Sequence, residues 1–446
     1  MIRRRTGVLP ALSAALAAVV AGALAAAGAA RAQSGTVAFR GAEVHPISSP
    51  AIRDGVIVIE GGKIVAVGPA SQVRIPRGAV VHEAAGKVIL PGLVDTHSHL
   101  GGVAGGGGDS SAALHPEVRT LDAVDILDPT FNRARAGGIT TLNVMSGSGH
   151  LMSGQTTYLK LRDGATKVED WLFCSDPLTE VCGGMKMANG TNSMRDKPFP
   201  GSRGKSAAMV RALFLKAQSY RDKMETARAD STKEPPERDL GMEALLEVLR
   251  GERIVQHHTH RHDDVLTVIR VAREFGYKPV LHHVSDAWKV ADEIAAAGLG
   301  VSLTVVDTPG GKEEALGASF ESAAALERAG ADVAFNTDDW ILDSRLHARS
   351  AALAVRYGMS REKALEGLTL AGARMLGLDH RVGSLEPGKD ADLVIFSGDP
   401  LSVYTQVLET WVEGVRIFDR SDPEQRKWAT GGYDVYRSGG DDDDEW

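Results

Sequence analysis

Val88-Ile89-Leu90-Pro91-Gly92-Leu93-Val94-Asp95-Thr96-His97-Ser98-His99 is an apolar run that stops at two histidines one residue apart. Its short length and β-branched content predict a strand. On a strand, residues i and i+2 face the same side, so His97 and His99 can reach one metal ion from the strand's end. Imidazole is a common ligand for zinc, iron and nickel. The pattern recurs downstream. Ile254-Val255-Gln256-His257-His258-Thr259-His260-Arg261-His262 ends a second run, where His258, His260 and His262 share a face if the chain stays extended. Val280-Leu281-His282-His283 ends a third, and Ala334-Phe335-Asn336-Thr337-Asp338-Asp339 places carboxylates just past a fourth. Most of the 14 histidines fall in these clusters.

Between the later runs lie helical patterns, near 265–275, 287–297 and 320–329. Strands alternating with helices mean βαβ units and a parallel sheet. Their number, over residues 91–382, predicts an α/β fold, a (β/α)8 TIM barrel rather than an open sheet. In such a barrel all strand C-termini meet at one face, so histidines far apart in sequence converge. The flanks read differently. Val56-Ile57-Val58-Ile59-Glu60 and Lys63-Ile64-Val65-Ala66-Val67 across Gly61-Gly62 form a hairpin. Residues 33–90 and 383–430 are expected to pair into one composite β-sandwich domain. Residues 187–252 interrupt the rhythm and predict an excursion over the barrel mouth, and the glycine-rich stretch 101–108 a loop beside the site.

The chain has 446 residues and a formal charge of −8, which argues against a nucleic-acid partner. Arg3-Arg4-Arg5, an Ala/Leu/Val/Gly stretch and Ala30-Arg31-Ala32 make 1–32 a cleavable signal peptide, implying a periplasmic or secreted mature protein. No later stretch is long and apolar enough to predict a membrane span. Residues 431–446 read as an acidic, solvated tail. Cys174 and Cys182 either close a short loop in an oxidising compartment or stay buried thiols. Gly201-Ser202-Arg203-Gly204-Lys205-Ser206 ends like a phosphate-binding loop but has Phe199 where the first glycine belongs. There is no GxSxG and no HExxH, which excludes serine-hydrolase and zincin readings.

The first stretch resembles the opening barrel strand of the amidohydrolase superfamily. Gly137-Gly138-Ile139-Thr140-Thr141 is similar to its second strand, and Gly383-Ser384-Leu385-Glu386-Pro387-Gly388-Lys389-Asp390-Ala391-Asp392-Leu393-Val394 to its return into the sandwich. Ser148-Gly149-His150-Leu151-Met152-Ser153-Gly154-Gln155 and Gly184-Met185-Lys186-Met187-Ala188 resemble the imidazolonepropionase and prolidase-like branch of secreted metal-dependent hydrolases. The resemblance implies one or two divalent metal ions, zinc by default. His97, His99, His258, His283 and Asp338 would be ligands, with Lys186 as a carboxylated bridge and Lys160 as the other candidate. The strand-five and strand-six assignments stay open by a residue or two, because His257, His260, His262 and His282 crowd them. Asp338 would be the general base, and His283, if not a ligand, would stabilise an oxyanion. Asp95 and Asp339 are available to orient the imidazoles. Arg261, Lys186 and His260 would contact a small-molecule substrate. The implied reaction is hydrolysis of an amide in a dipeptide, an N-acyl amino acid or a cyclic amide. Deamination, lactone opening and a non-enzymatic periplasmic binding protein are the alternatives; a homo-oligomer is left open.

Overall fold

The computed structural model describes residues 35–103, 108–305, 311–339 and 341–431. The expected signal peptide, nearly all of the acidic tail, and parts of the segments 101–108 and 305–311 lie outside those residues.

The strands are β1 (Val37–Val44), β2 (Ile52–Glu60), β3 (Lys63–Pro69), β4 (Val80–Glu83), β5 (Val88–Pro91), β6 (Leu93–Ser98), β7 (Ile139–Val144), β8 (Met152–Gln155), β9 (Thr157–Lys160), β10 (Met185–Ala188), β11 (Val255–Thr259), β12 (Pro279–His283), β13 (Val301–Leu303), β14 (Val333–Phe335), β15 (Leu393–Phe396), β16 (Val407–Val412) and β17 (Val415–Asp419). Strands from the two ends of the chain share one eight-stranded sheet, in the order β17-β16-β15-β5-β1-β2-β3 with β4 on β1. β2 and β3 turn through Gly61 and Gly62, whose φ of 56° and 78° suits a hairpin twist that side chains resist. Phe39, Ile57 and Ile64 from one end pack with Leu393, Ile395 and Trp411 from the other in one apolar cluster.

β10, β11, β12, β13 and β14 are successive parallel neighbours, and β6 pairs parallel with β7. Helices His262–Phe275, Ala291–Ala296 and Ser322–Ala329 connect the later parallel pairs. This is the mixed α/β architecture of the TIM-barrel type. The first of these helices shows why the crossovers form. Val265, Val268, Val271, Ala272 and Phe275 recur at helical spacing and are buried, Asp263 and Asp264 sit in the first turn, and Gly276 ends the helix at φ 78°.

Three expectations need correction. β11 ends at Thr259, so His262 does not continue the histidine face; it opens the helix, with Nδ1 3.0 Å from Asp286 Oδ2. The excursion does not cover the barrel mouth with its helices. Arg203–Ala229 buries Val210, Phe214 and Ala217 against the outer layer, where Phe214 stacks on Phe275 and Tyr277 at 5.0 and 5.1 Å. Its phosphate-loop-like start is a helix cap, with Ser202 Oγ accepting from Lys205 N. Cys174 and Cys182 are joined by a disulfide.

The third correction concerns Lys160. It lies at the end of β9, fully buried, far from the histidines in its contacts. Its ammonium is bonded to Asp390, lies 2.9 Å from Asp392 and 3.3 Å from Glu413, and ties the barrel strand to the flanking sheet. It is thus a structural cation and not a bridging ligand. Burial alone would raise the Asp390 carboxyl, but the neighbouring Lys160, Lys63 and Arg381 outweigh burial and hold it at about 2. Lys160→Met should therefore destabilise the fold by about 3–5 kcal/mol, because it leaves buried carboxylates uncompensated. Since the folded carboxyl lies below its unfolded value, its contribution, roughly 2 kcal/mol, is present above about pH 4 and lost as pH falls toward 2. Denaturant titrations of both forms across that window check both statements.

Candidate metal centre

β6 ends at the centre with His97 and His99 on one face, as strand alternation requires. Their Nε2 atoms are 3.3 Å apart. Asp338, in the turn after β14, places Oδ1 3.0 Å from His99 Nε2 and 3.5 Å from His97 Nε2. Lys186, inward-facing on β10, brings Nζ to 3.2 Å from His97 Nε2. His97, His283 and Asp338 offer ligand atoms all within 4.8 Å of one another.

Register settles part of the crowding on β11 and β12. Lys186 lies beside Gln256, and Ala188 beside His258. Side chains of β11 alternate, so Gln256 and His258 share the inward face and His257 takes the opposite one. On β12, His282 Nε2 meets Gln256 Oε1 at 2.7 Å, which also makes it inward-facing. A regular strand would then turn His283 away. His283 instead has φ 71° and Val284 φ 40°, and this left-handed backbone lets both rings pack on His97, at centroid distances of 4.8 and 4.7 Å. Such conformations persist where the surroundings over-determine them, commonly at functional sites.

Hydrogen bonds then fix the rings. His99 Nδ1 lies 2.8 Å from the Met145 carbonyl, to which it can only donate. Thr304 Oγ1 donates to Asn336 Oδ1 at 2.7 Å, so it accepts from His283 Nδ1 at 2.8 Å. That tautomer leaves a lone pair on His283 Nε2, a buried atom with no hydrogen-bond partner. Both ring nitrogens of His258 are likewise buried and unpartnered, as is His97 Nδ1. Burial drives His97, His258, His282 and His283 well below the usual imidazole range, so they are neutral and their lone pairs are free. Burial would raise Asp338, but the imidazoles around it, His283 first, hold its carboxyl far below the usual range. Burial pushes the Lys186 amine down to about 7. Orphaned buried nitrogens, an ionised carboxylate and a half-neutral lysine fit a divalent cation as no internal hydrogen-bond network would.

Asp95 holds this arrangement together. Its Oδ1 accepts from His97 N at 3.2 Å and Thr337 N at 3.1 Å, its Oδ2 accepts from Thr337 Oγ1 at 2.5 Å, and Asp338 N donates to the His97 carbonyl at 3.0 Å. Asp339, the other candidate for an orienting role, faces elsewhere: Oδ2 accepts from Ser344 N at 3.3 Å and Oδ1 is 3.5 Å from Arg133. Arg261 forks onto Asp263 at 3.0 and 2.9 Å and is well exposed. His260 stays buried beside His258 and His283. Thr304, Asn336, Met145 and Lys312 were not read from the sequence, because nothing local marks them.

A structure of an amidohydrolase from Thermotoga maritima MSB8 is 34% identical, with a TM-score of 0.79, over 86% of this chain and 100% of that one. The chain belongs to the amidohydrolase family. The model of the Amidohydrolase family matches residues 243–418, which contain β11 to β17. Amidohydrolase tasK of Hapsidospora irregularis is 28% identical over 82% of this chain, which spans only 40% of the length of that relative. An imidazolonepropionase of Sphingopyxis alaskensis is 24% identical over 80% of this chain and 90% of its own. By family membership the protein is an enzyme acting on carbon–nitrogen bonds.

Asp95→Ala should weaken zinc binding about 10–100-fold, the usual cost of removing a residue that orients ligands. Asp95→Asn, which keeps one acceptor, should lose less. Competition with a zinc-chelating dye measures both.

Proposed function

We propose that this amidohydrolase cleaves an amide C–N bond in a small substrate such as a dipeptide, an N-acyl amino acid or a cyclic amide, with one or two divalent ions, zinc by donor type. The observation that carries the reading is the convergence of Asp338, Lys186 and neutral, unpartnered imidazoles at one barrel end. His97, His99, His258, His283 and Asp338 would hold the ion, and Lys186, carboxylated, would bridge to a second. A bound divalent cation supplies Lewis acidity, which brings water toward a neutral pKa and polarises a carbonyl.

The chain's own groups do the rest. Asp338, ionised and 3.0 Å from His99, accepts the proton given up by the attacking water. It then returns that proton to the leaving nitrogen as the C–N bond breaks. His283 is assigned as a ligand rather than an oxyanion donor, because its Nδ1 proton is committed to Thr304. Lys186 at about 7 has a large neutral fraction at physiological pH, and the neutral amine is the form that takes up carbon dioxide. For the fold, we propose that the strands of 91–382 close as an eight-stranded barrel and that 33–90 and 383–430 make one sandwich domain. For location, the leader-like composition of 1–32 and the Cys174–Cys182 bond support an oxidising compartment, the periplasm or the exterior.

Metal content of protein purified without chelator tests this reading. Two ions per chain are expected, falling to about one in Lys186→Ala. Asp338→Asn should lower turnover of any hydrolysed amide by about 10²–10⁴-fold. A wild type that binds no zinc or manganese, even with bicarbonate, would sink the proposal.

A further inference from the structure

We propose that Lys312 holds a substrate carboxylate and so selects amides that carry a free carboxylate close to the scissile bond; this rests on the amide-hydrolase reading above. Lys312 is partly buried, and its Nζ lies 3.4 Å from His260 Nε2. Among the described residues no carboxylate makes an ion pair with it. The other cations nearby are committed. Arg203 is 2.8 Å from Asp264 and 3.3 Å from Glu314, and Arg261 forks onto Asp263. A partly buried ammonium without a counter-ion costs stability, and an anionic ligand removes that cost.

The position fits a substrate contact. His260 is held by Ser285, its Nδ1 2.7 Å from Oγ. Its ring meets His258 at a centroid distance of 4.6 Å and His283 at 5.5 Å. Lys312 is therefore one imidazole away from the centre. Glu314 pins the same segment, its Oε2 accepting from Thr191 N at 2.9 Å. His258, His260 and Glu314 also offer ligand atoms within 4.8 Å of one another, which reads at first as a further cation position. Arg203 is already engaged with Glu314, and the Lys312 ammonium 3.4 Å from His260 Nε2 disfavours a cation there. One uncommitted positive charge matches a carboxylate better than a phosphate dianion.

Isothermal calorimetry on zinc-loaded protein tests this with N-acetyl-L-amino acids, their carboxamides and inorganic phosphate. At least one acid should bind with a Kd below about 1 mM and its carboxamide about tenfold more weakly or worse. Lys312→Met should weaken that acid by roughly 10–100-fold, the loss expected for one charge-assisted hydrogen bond, and leave the carboxamide unchanged. Lys312→Arg should restore most of the affinity, which separates charge from folding. A carboxylate that binds only through the metal would be unaffected by Lys312→Met, and that result overturns the proposal. So do equal binding of acids and carboxamides, no acid binding, or phosphate binding tighter than every acid. Turnover of the same compounds decides the amide-hydrolase reading separately.

Discussion

A single buried carboxylate joins β6 to the turn after β14. Asp95 lies on β6, and its three accepted hydrogen bonds come from His97 and from Thr337, just beyond β14. Asp95 and Thr337 lie 242 positions apart in sequence and meet where the end of β6 comes against the turn after β14. The histidine pair and the aspartate that face each other across the centre each sit within two residues of one of these bonds. The bonds that join β6 to the turn after β14 are thus the bonds that set the two sides of the centre against each other. Burial pushes the Asp95 carboxyl up to about 7 despite its donors.

Beneath the centre the barrel interior stays polar. Gln256 links His282 to Tyr158, and Asn336 links Thr304 to Ser302. Each partner leaves one imidazole face or one lone pair pointing upward. Burial is the first cause that lowers the imidazoles, and it would likewise have neutralised Asp338 had its contacts with His283, His99 and Lys186 not opposed it. The left-handed turn at His283 adds a second inward ring from one strand, which regular pleating forbids. The centre therefore depends on a local departure from the rule that makes it readable.

That explains how far the sequence could be read. His97 and His99 follow from period-two alternation at the end of an apolar run, and Asp338 from its place after β14. His262 misled, because the sequence does not show that the chain turns into a helix after Thr259. His283 could not be separated from His282, since a positive φ at a histidine has no local signature. Thr304 and Asn336 are ordinary strand-end polar residues whose roles exist only across neighbouring strands. The helix Arg203–Ala229 lies within the stretch that the sequence marks as an excursion, but which surface its Phe214 face covers is a tertiary fact.

Lys160 and Lys186 show the same limit in energetic form. Both end or occupy four-residue strands, both are wholly buried, and the sequence offered both for one role. What separates them is the company each keeps. Lys160 meets Asp390, 230 residues away, together with Asp392 and Glu413. An ammonium so surrounded holds two parts of the fold together. Lys186 meets imidazole, has no carboxylate in ion-pair contact among the described residues, and loses its proton near neutrality. Identical side chains at equal burial thus end in opposite surroundings, one among carboxylates and one among imidazoles, and only the long-range pairing of acids decides which.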